Sequence, residues 1–137
     1  MAALVDAGPL YAYVDADDRH HDACLTLLRG YHGRLIVPTL VITEVCYLIE
    51  TRLGTSAEVR FLGDLAAGDL DVEPVNAGDW LRIAELVHRY SDQSLGTVDA
   101  SVVATAERLG VTRIITLDRR HFSIVRPIHT PTFEILP

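Results

Sequence analysis

Two short stretches, Ala2-Ala3-Leu4-Val5-Asp6 and Ile114-Ile115-Thr116-Leu117-Asp118, decide how this chain folds. Each is a dense apolar run that stops at an aspartate. Neither alternates like a half-exposed strand, and neither is long enough for a buried helix. Such runs read as strands covered on both faces, which is the habit of parallel sheets.

Outward from these two runs, apolar and amphipathic segments alternate. Gly8-Pro9 opens a short helix, proline being suited to a first turn. Asp17 or Asp18 caps a longer helix through Gly30. Arg34 to Val37 is a second strand. Thr39 caps a helix that Gly54 stops after Leu53, and Thr55 or Ser56 begins another that reaches about Gly68. Leu70 to Val75 is strand-like, Asp79 to Tyr90 helical, and Ser91 to Gly96 a loop. Thr97 caps a helix to Leu109 that Gly110 closes. Arg113 to Leu117 and Thr132 to Leu136 complete the strands. The pattern predicts an α/β fold with a mostly parallel sheet between helices, in one domain spanning 1–137 without repeat, low-complexity tract or linker.

Composition agrees with a globular chain. The 137 residues are 49% hydrophobic and 23% charged, enough to bury about two-thirds of the unfolded surface. Cys24 and Cys46 lack a C-x-x-C spacing and read as reduced packing residues of a cytosolic protein, not a disulfide or a zinc site. Asp6 interrupts the N-terminal apolar stretch, so a secretory signal is not expected, and the apolar run from Leu35 to Ile42 is too short to span a membrane. The net charge of −7 argues against a nucleic-acid partner, but it is unevenly spread. Residues 107–137 hold five arginines (Arg108, Arg113, Arg119, Arg120, Arg126) against Glu107, Asp118 and Glu134. Acids gathered around a metal would further weaken the repulsion met by phosphate.

Four acids break otherwise buried patterns: Asp6, Glu44, Asp99 and Asp118. Glu44 has Leu40, Val41, Tyr47 and Leu48 as helical neighbours, and Asp99 has Val102, Val103 and Ala106. A carboxylate on a core-facing stripe is costly without a compensating cation or hydrogen bonds. The chain has no lysine, and no arginine adjoins Asp6 or Asp99. A hard divalent cation, which favours oxygen ligands, is the economical compensator. Asp6 and Asp118 close strands, and Asp99 opens a helix, so all are expected at the carboxyl edge of the sheet, where parallel sheets bind their ligands. Such a cleft suits metal-assisted phosphoryl chemistry.

Leu4-Val5-Asp6-Ala7, Thr39-Leu40-Val41-Ile42-Thr43-Glu44, Leu95-Gly96-Thr97-Val98-Asp99-Ala100, and Ile115-Thr116-Leu117-Asp118 with Phe122 occur in this order over essentially the whole chain. In order and spacing they resemble the PIN-domain ribonucleases, and within them the VapC-like toxins of bacterial type II toxin–antitoxin pairs. The resemblance implies a three-layer α/β/α sandwich and an endoribonuclease using Mg2+ or Mn2+. The metal would be held mainly by Asp6 and Asp99, with Glu44 and Asp118 completing the cluster directly or through water. Thr116 would orient an acid or the substrate phosphate, and a homodimer and a cognate antitoxin whose tail covers the cleft are implied. Two features depart from the pattern: Ala7-Gly8-Pro9 stands where a hydroxyl residue often follows the first aspartate, and Asp92 is an additional acid that could join the site. Beside Asp118, Arg119 and Arg120 are candidates for RNA-phosphate contact. Leu10, Tyr11, Tyr13, Val14, Leu27 and Leu28 are expected to form an exposed apolar patch for the antitoxin tail.

Each feature alone has a plainer reading. Asp6 could cap the next helix, Asp99 could favour a helix N-terminus, Glu44 could pair with an arginine, and Asp118 could form an exposed ion pair with Arg119 or Arg120. His20-His21 reads as helix surface, since adjacent helical residues diverge, and Trp80 and the tyrosines as core or interface. A haloacid-dehalogenase-type phosphatase would want a second acid at Gly8, and a receiver domain a late lysine. A catalytically silent PIN-like module that binds RNA or protein is the remaining alternative, distinguishable by its indifference to chelator.

Overall fold

The computed structural model describes all 137 residues. Five strands form one sheet: β1 (Ala3–Val5), β2 (Leu35–Pro38), β3 (Asp71–Glu73), β4 (Arg113–Ile115) and β5 (Glu134–Leu136). Their order is β3-β2-β1-β4-β5, and every neighbouring pair is parallel. The expectation of a mostly parallel sheet is met in full. Seven helices cover it: α1 (Ala7–Val14), α2 (His21–Gly30), α3 (Thr39–Leu53), α4 (Thr55–Ala67), α5 (Ala77–Arg89), α6 (Thr97–Leu109) and α7 (Arg119–Ile124). The result is an α/β sandwich. No helix is long and apolar enough to cross a membrane.

The central strand explains why the opening stretch is decisive. Ala3, Leu4 and Val5 are fully buried, because β1 has a strand on each side and helices on each face. Each buried leucine, isoleucine or valine contributes roughly 1.5–3 kcal/mol of transfer free energy. Truncating Leu4 or Ile114 to alanine would therefore cost on the order of 2–5 kcal/mol with the cavity included. Helix α6 is buried continuously from Ala100 to Ala106, so it shows little of the amphipathic stripe of a surface helix. Its two buried hydroxyls are satisfied locally: Ser101 donates to the Val98 carbonyl at 2.6 Å and Thr105 to the Ser101 carbonyl at 2.7 Å. Gly110 ends α6 at φ 69°, in the left-handed region where glycine is favoured.

Several sequence-based boundaries shift. Helix α2 begins at His21, not beside Asp17 or Asp18: the Asp18 carboxylate accepts the His20 N–H in a turn, and Asp17 lies in a turn of its own, its N–H donating to Asp15 Oδ1. Thr39 and Thr97 are first helical residues and not caps; Pro38 and Gly96 hold the cap positions. The Thr39 hydroxyl instead donates to the Glu73 carbonyl at 3.0 Å, tying α3 to β3. Helix α7, six residues long, has no counterpart in the sequence reading, since one and a half turns leave too few positions for periodicity to register.

The expected apolar patch is corrected in part. Leu10, Tyr11 and Leu28 belong to the core, being 2%, 4% and 9% exposed. The Tyr11 hydroxyl donates to Asp15 Oδ2 at 2.6 Å, and the Arg52 guanidinium lies 5.0 Å from its ring centroid. What reaches the surface is a groove between α1 and α4, about 420 Å3 in volume, continuing into a second cavity of about 320 Å3. Tyr13, Phe61 and Asp64 line both. Trp80 is half exposed on α5 rather than core.

Candidate active site

The strand order reverses direction between β1 and β4: the chain builds β1, β2 and β3 outward on one side, then returns to lay β4 on the other. A crevice opens at the carboxyl end of such a switch point. Asp6 follows β1 directly and Asp118 lies three residues beyond β4, so both enter this crevice from adjacent strands. Asp99 comes from the first turn of α6, and Glu44 from the second turn of α3.

A hydrogen-bonded chain binds the two strand ends together. The buried Thr116 hydroxyl donates to Asp6 Oδ2 at 2.9 Å and accepts the Asp118 backbone N–H at 3.0 Å. The Thr116 hydroxyl thus bridges the two acids. Asp118 caps α7, its Oδ1 accepting the His121 N–H at 3.1 Å, while its Oδ2 lies 2.6 Å from His121 Nδ1. The other ring nitrogen, Nε2, is 2.9 Å from the Gln93 carbonyl. A carbonyl oxygen only accepts, so Nε2 carries a proton.

Ligand atoms of Asp99, Asp118 and His121 all lie within 4.8 Å of one another. Asp6 and Glu44 join this group electrostatically. Burial raises the Asp6 carboxyl, opposed by hydrogen bonds from the Ala7 backbone and Thr116, with the Asp118 charge adding to the rise. Burial raises Asp99 to about 6, with further upward pushes from Asp6 and Asp118. Glu44 is raised by burial and then by Asp6. His121 is also raised, first by its bond to Asp118 and then by the Gln93 carbonyl. All three shifted acids thus favour the proton by burial and mutual repulsion.

No arginine forms an ion pair with any of the four acids. The arginine-partner readings of Glu44 and Asp118 therefore fall away; Asp118 instead caps α7 while taking its place in the cluster. The donor set is carboxylate oxygen with one imidazole, its charges are uncompensated except by His121, and it fits a hard divalent cation. Asp99 and Asp118 present ligand atoms close enough to share such an ion, and Asp6 and Glu44 lie near enough to act on the same cluster.

The other sequence candidates separate. Asp92 is exposed and forms no hydrogen bond with the quartet; its turn contributes the Gln93 carbonyl instead. Arg119 donates to the Pro137 carbonyl, while Arg120 is exposed and makes no hydrogen bond or ion pair. At Ala7-Gly8-Pro9, a Cβ on Gly8 would make ordinary van der Waals contact with the Leu117 side chain, 3.4 Å from its Cδ1. His121 was not a sequence candidate. Its signal, an aspartate followed three residues later by histidine, is indistinguishable in sequence from an ordinary surface turn.

Comparison with known proteins agrees with this geometry. The PIN domain family matches residues 3–126. Ribonuclease VapC26 of Mycobacterium tuberculosis is 37% identical over 134 residues, which cover 98% of this chain and 99% of that protein. Among solved structures, VapC20 of Mycobacterium tuberculosis, described as a toxin that cleaves the sarcin-ricin loop, superposes with a TM-score of 0.84 at 21% identity, over 96% of this chain and 99% of that one. VapBC2 of Rickettsia felis, solved bound to a promoter DNA fragment, superposes at 0.72 and 13% identity over the full length of both. With the fold, the acid cluster at its switch point and a curated relative matched almost end to end, the chain belongs to the PIN-domain family, in its VapC ribonuclease branch.

Proposed function

We propose that the protein is a divalent-metal-dependent endoribonuclease toxin, acting in the cytoplasm and held inactive by a cognate antitoxin. The observation that carries this reading is the hydrogen-bonded chain Asp6–Thr116–Asp118 across β1 and β4, with Asp99 held beside it at a pKa of about 6. Structural acids are normally paired with cations, whereas these repel one another. When bound, Mg2+ or Mn2+ supplies charge for the substrate phosphate and lowers the pKa of an attacking water.

The chain's own residues do the rest. Asp6 and Asp99 are the ligands, and Thr116 keeps the Asp6 carboxylate in one rotamer. Glu44, exposed on α3 yet close enough to feel Asp6, is placed to take a proton from water at the cleft mouth. Asp118 stays oriented by its bonds to His121. Arg120, free and exposed one residue past the start of α7, is placed to meet RNA phosphate; Arg119 would first have to leave the Pro137 carbonyl.

The antitoxin is expected in the groove lined by Tyr13, Val14, Leu53, Ala57 and Phe61. Its apolar wall is rimmed by Asp15, Asp17 and Asp64, against a single Arg60, which suits an amphipathic segment carrying basic residues. A homodimer is also expected, and the exposed Trp80 and Leu81 on α5 support it. Mapping of new RNA 5′ ends after brief induction of wild type beside Asp6→Asn tests the activity. New ends in the wild type alone support the reading. Identical profiles from both folded proteins would sink it.

A further inference from the structure

His121 is the one imidazole in a cluster of carboxylates. Its ring could serve in either of two ways. The 4.8 Å spacing among Asp99, Asp118 and His121 is what a metal ligand would show. The hydrogen bonds favour the other role. A ligating nitrogen needs a free lone pair, yet Nε2 uses its proton on the Gln93 carbonyl and Nδ1 lies 2.6 Å from Asp118 Oδ2. Both nitrogens are therefore engaged, and both Asp118 oxygens face His121, one through the backbone N–H and one through the ring.

We propose that His121 is a positioning residue for phosphodiester cleavage, locking the Asp118 carboxylate and the 91–96 turn against each other so that the acid cluster keeps a single geometry. This rests on the nuclease reading. The lock completes a continuous path: Gln93 carbonyl, His121, Asp118, Thr116, Asp6. It joins the turn before α6 to the ends of two strands, segments that the sheet alone does not hold in register. Beyond the anchor of Leu95 in the core, the backbone of the turn is tied only locally, by the Gln93 and Leu95 amides donating to the Tyr90 carbonyl and Ser94 to Ser91. Asp99 stands three residues beyond the turn, in the first turn of α6, whose buried face from Ala100 to Ala106 holds it independently, so the lock acts on Asp118 and the turn and not on the proposed ligand. Supporting residues of this kind typically change metal affinity or activity by about 10–100-fold when removed.

The test uses the full chain as wild type, His121→Ala and His121→Asn, the last keeping a donor near the Nδ1 position. Cleavage of a labelled RNA gives kcat and KM, Mn2+ affinity comes from calorimetry without RNA, and amide hydrogen exchange is followed at Gln93, Ser94 and Leu95. For His121→Ala the expected result is a roughly 10–100-fold lower kcat. KM should stay within about twofold and Mn2+ Kd within about threefold, because no direct contact to RNA or ion is lost. Exchange at the three amides should quicken, and His121→Asn should recover about tenfold of the kcat. A Mn2+ Kd weakened in step with kcat would make His121 a ligand and overturn the proposal. So would an unchanged kcat, or a raised KM at constant kcat. If His121→Ala fails to fold, His121→Asn is judged by the same readouts against wild type. A wild type that cleaves no RNA overturns the nuclease reading, whereas unchanged exchange in the variants overturns the lock itself.

Discussion

Asp6 and Asp79 are buried equally, each 6% exposed, and yet they live in opposite surroundings. Asp79 opens α5, accepts the Asn76 N–H at 3.0 Å, and takes the Arg108 Nε at 3.1 and 3.2 Å on its two oxygens. Arg108 reaches on to Glu73 at 2.8 Å, and nearby Arg82 holds Glu107 through two bonds of 2.7 and 2.9 Å. On that flank each inward-facing acid has its guanidinium. At the crevice between β1 and β4 the acids have one another, a threonine and a histidine. The first arrangement is complete within the chain and stitches α5 to α6 and β3. The second leaves negative charge without a matching guanidinium, and that difference distinguishes a site from a scaffold.

The sharpest way to break the comparison is to neutralise each member in turn. Asp6→Asn and Asp99→Asn should reduce RNA cleavage by about 10³-fold, the equivalent of roughly 4 kcal/mol of transition-state stabilisation. Neither should lower the metal-free melting temperature, since each relieves repulsion. A melting temperature that falls with cleavage intact would move these acids to the structural side. Arg108→Ala should do the reverse. Stranding Asp79 in a buried setting is expected to cost about 3–5 kcal/mol in denaturant unfolding, leaving the kcat of the folded protein unchanged. Adding Asp79→Ala to that variant should return much of the loss, and a double variant no better than the single would show that the pair is not what Arg108 serves.

The metal response comes next in size. A cation that binds only the folded state at a hundredfold excess over its Kd adds roughly 2.7 kcal/mol. Mg2+ or Mn2+ should therefore raise the melting temperature of wild type, and Asp99→Asn should lose most of the rise. pH sharpens this. The Asp99 carboxyl is raised from 3.8 to about 6 in the folded chain, so the native state holds its proton more tightly than the unfolded one. Its contribution to metal-free stability is full below about pH 4 and is lost as pH rises through about 6. The cation competes with that same proton. Its stabilising increment should be largest above pH 6 and shrink below it, and an increment independent of pH between 5 and 7 would count against Asp99 as a ligand. The smallest effect is expected in the groove: Tyr13→Glu should weaken retention of the antitoxin by about tenfold, a shift typical of one interface residue, with cleavage unchanged. Wild-type retention would place the partner elsewhere.

Much of the site was legible because its signals are local. An apolar run that ends in aspartate says strand, then sheet edge, and Asp6 and Asp118 satisfy it without any knowledge of partners. Asp99 was visible as a charge on an otherwise apolar helical stripe; Glu44 reads the same way, but the fold leaves it exposed beside an exposed Tyr47. The order of the four, with Thr116 between two of them, carried the family. His121 and the Gln93 carbonyl were not legible, since their roles arise from a contact between residues 28 positions apart. The Arg108–Asp79 bond spans 29 positions and Arg108–Glu73 spans 35, which no helical or strand period encodes. Asp92 looked eligible on charge alone, and in the fold it is exposed and makes no hydrogen bond to the quartet.

The sequence by itself determined the alternation of strands and helices, the parallel habit of the sheet, and the identity of the acids, because backbone preference and hydrophobic period act over a few residues. The tertiary structure alone decided strand order, and with it that Asp6 and Asp118 stand on neighbouring strands and not across the sheet. It also decided that Tyr11 faces the core while Tyr13 faces the groove, and which acids found arginines. The physical reason is common to all three. Burial and electrostatic pairing depend on distance in space, and a chain brings distant residues together only once the whole sheet has closed around β1.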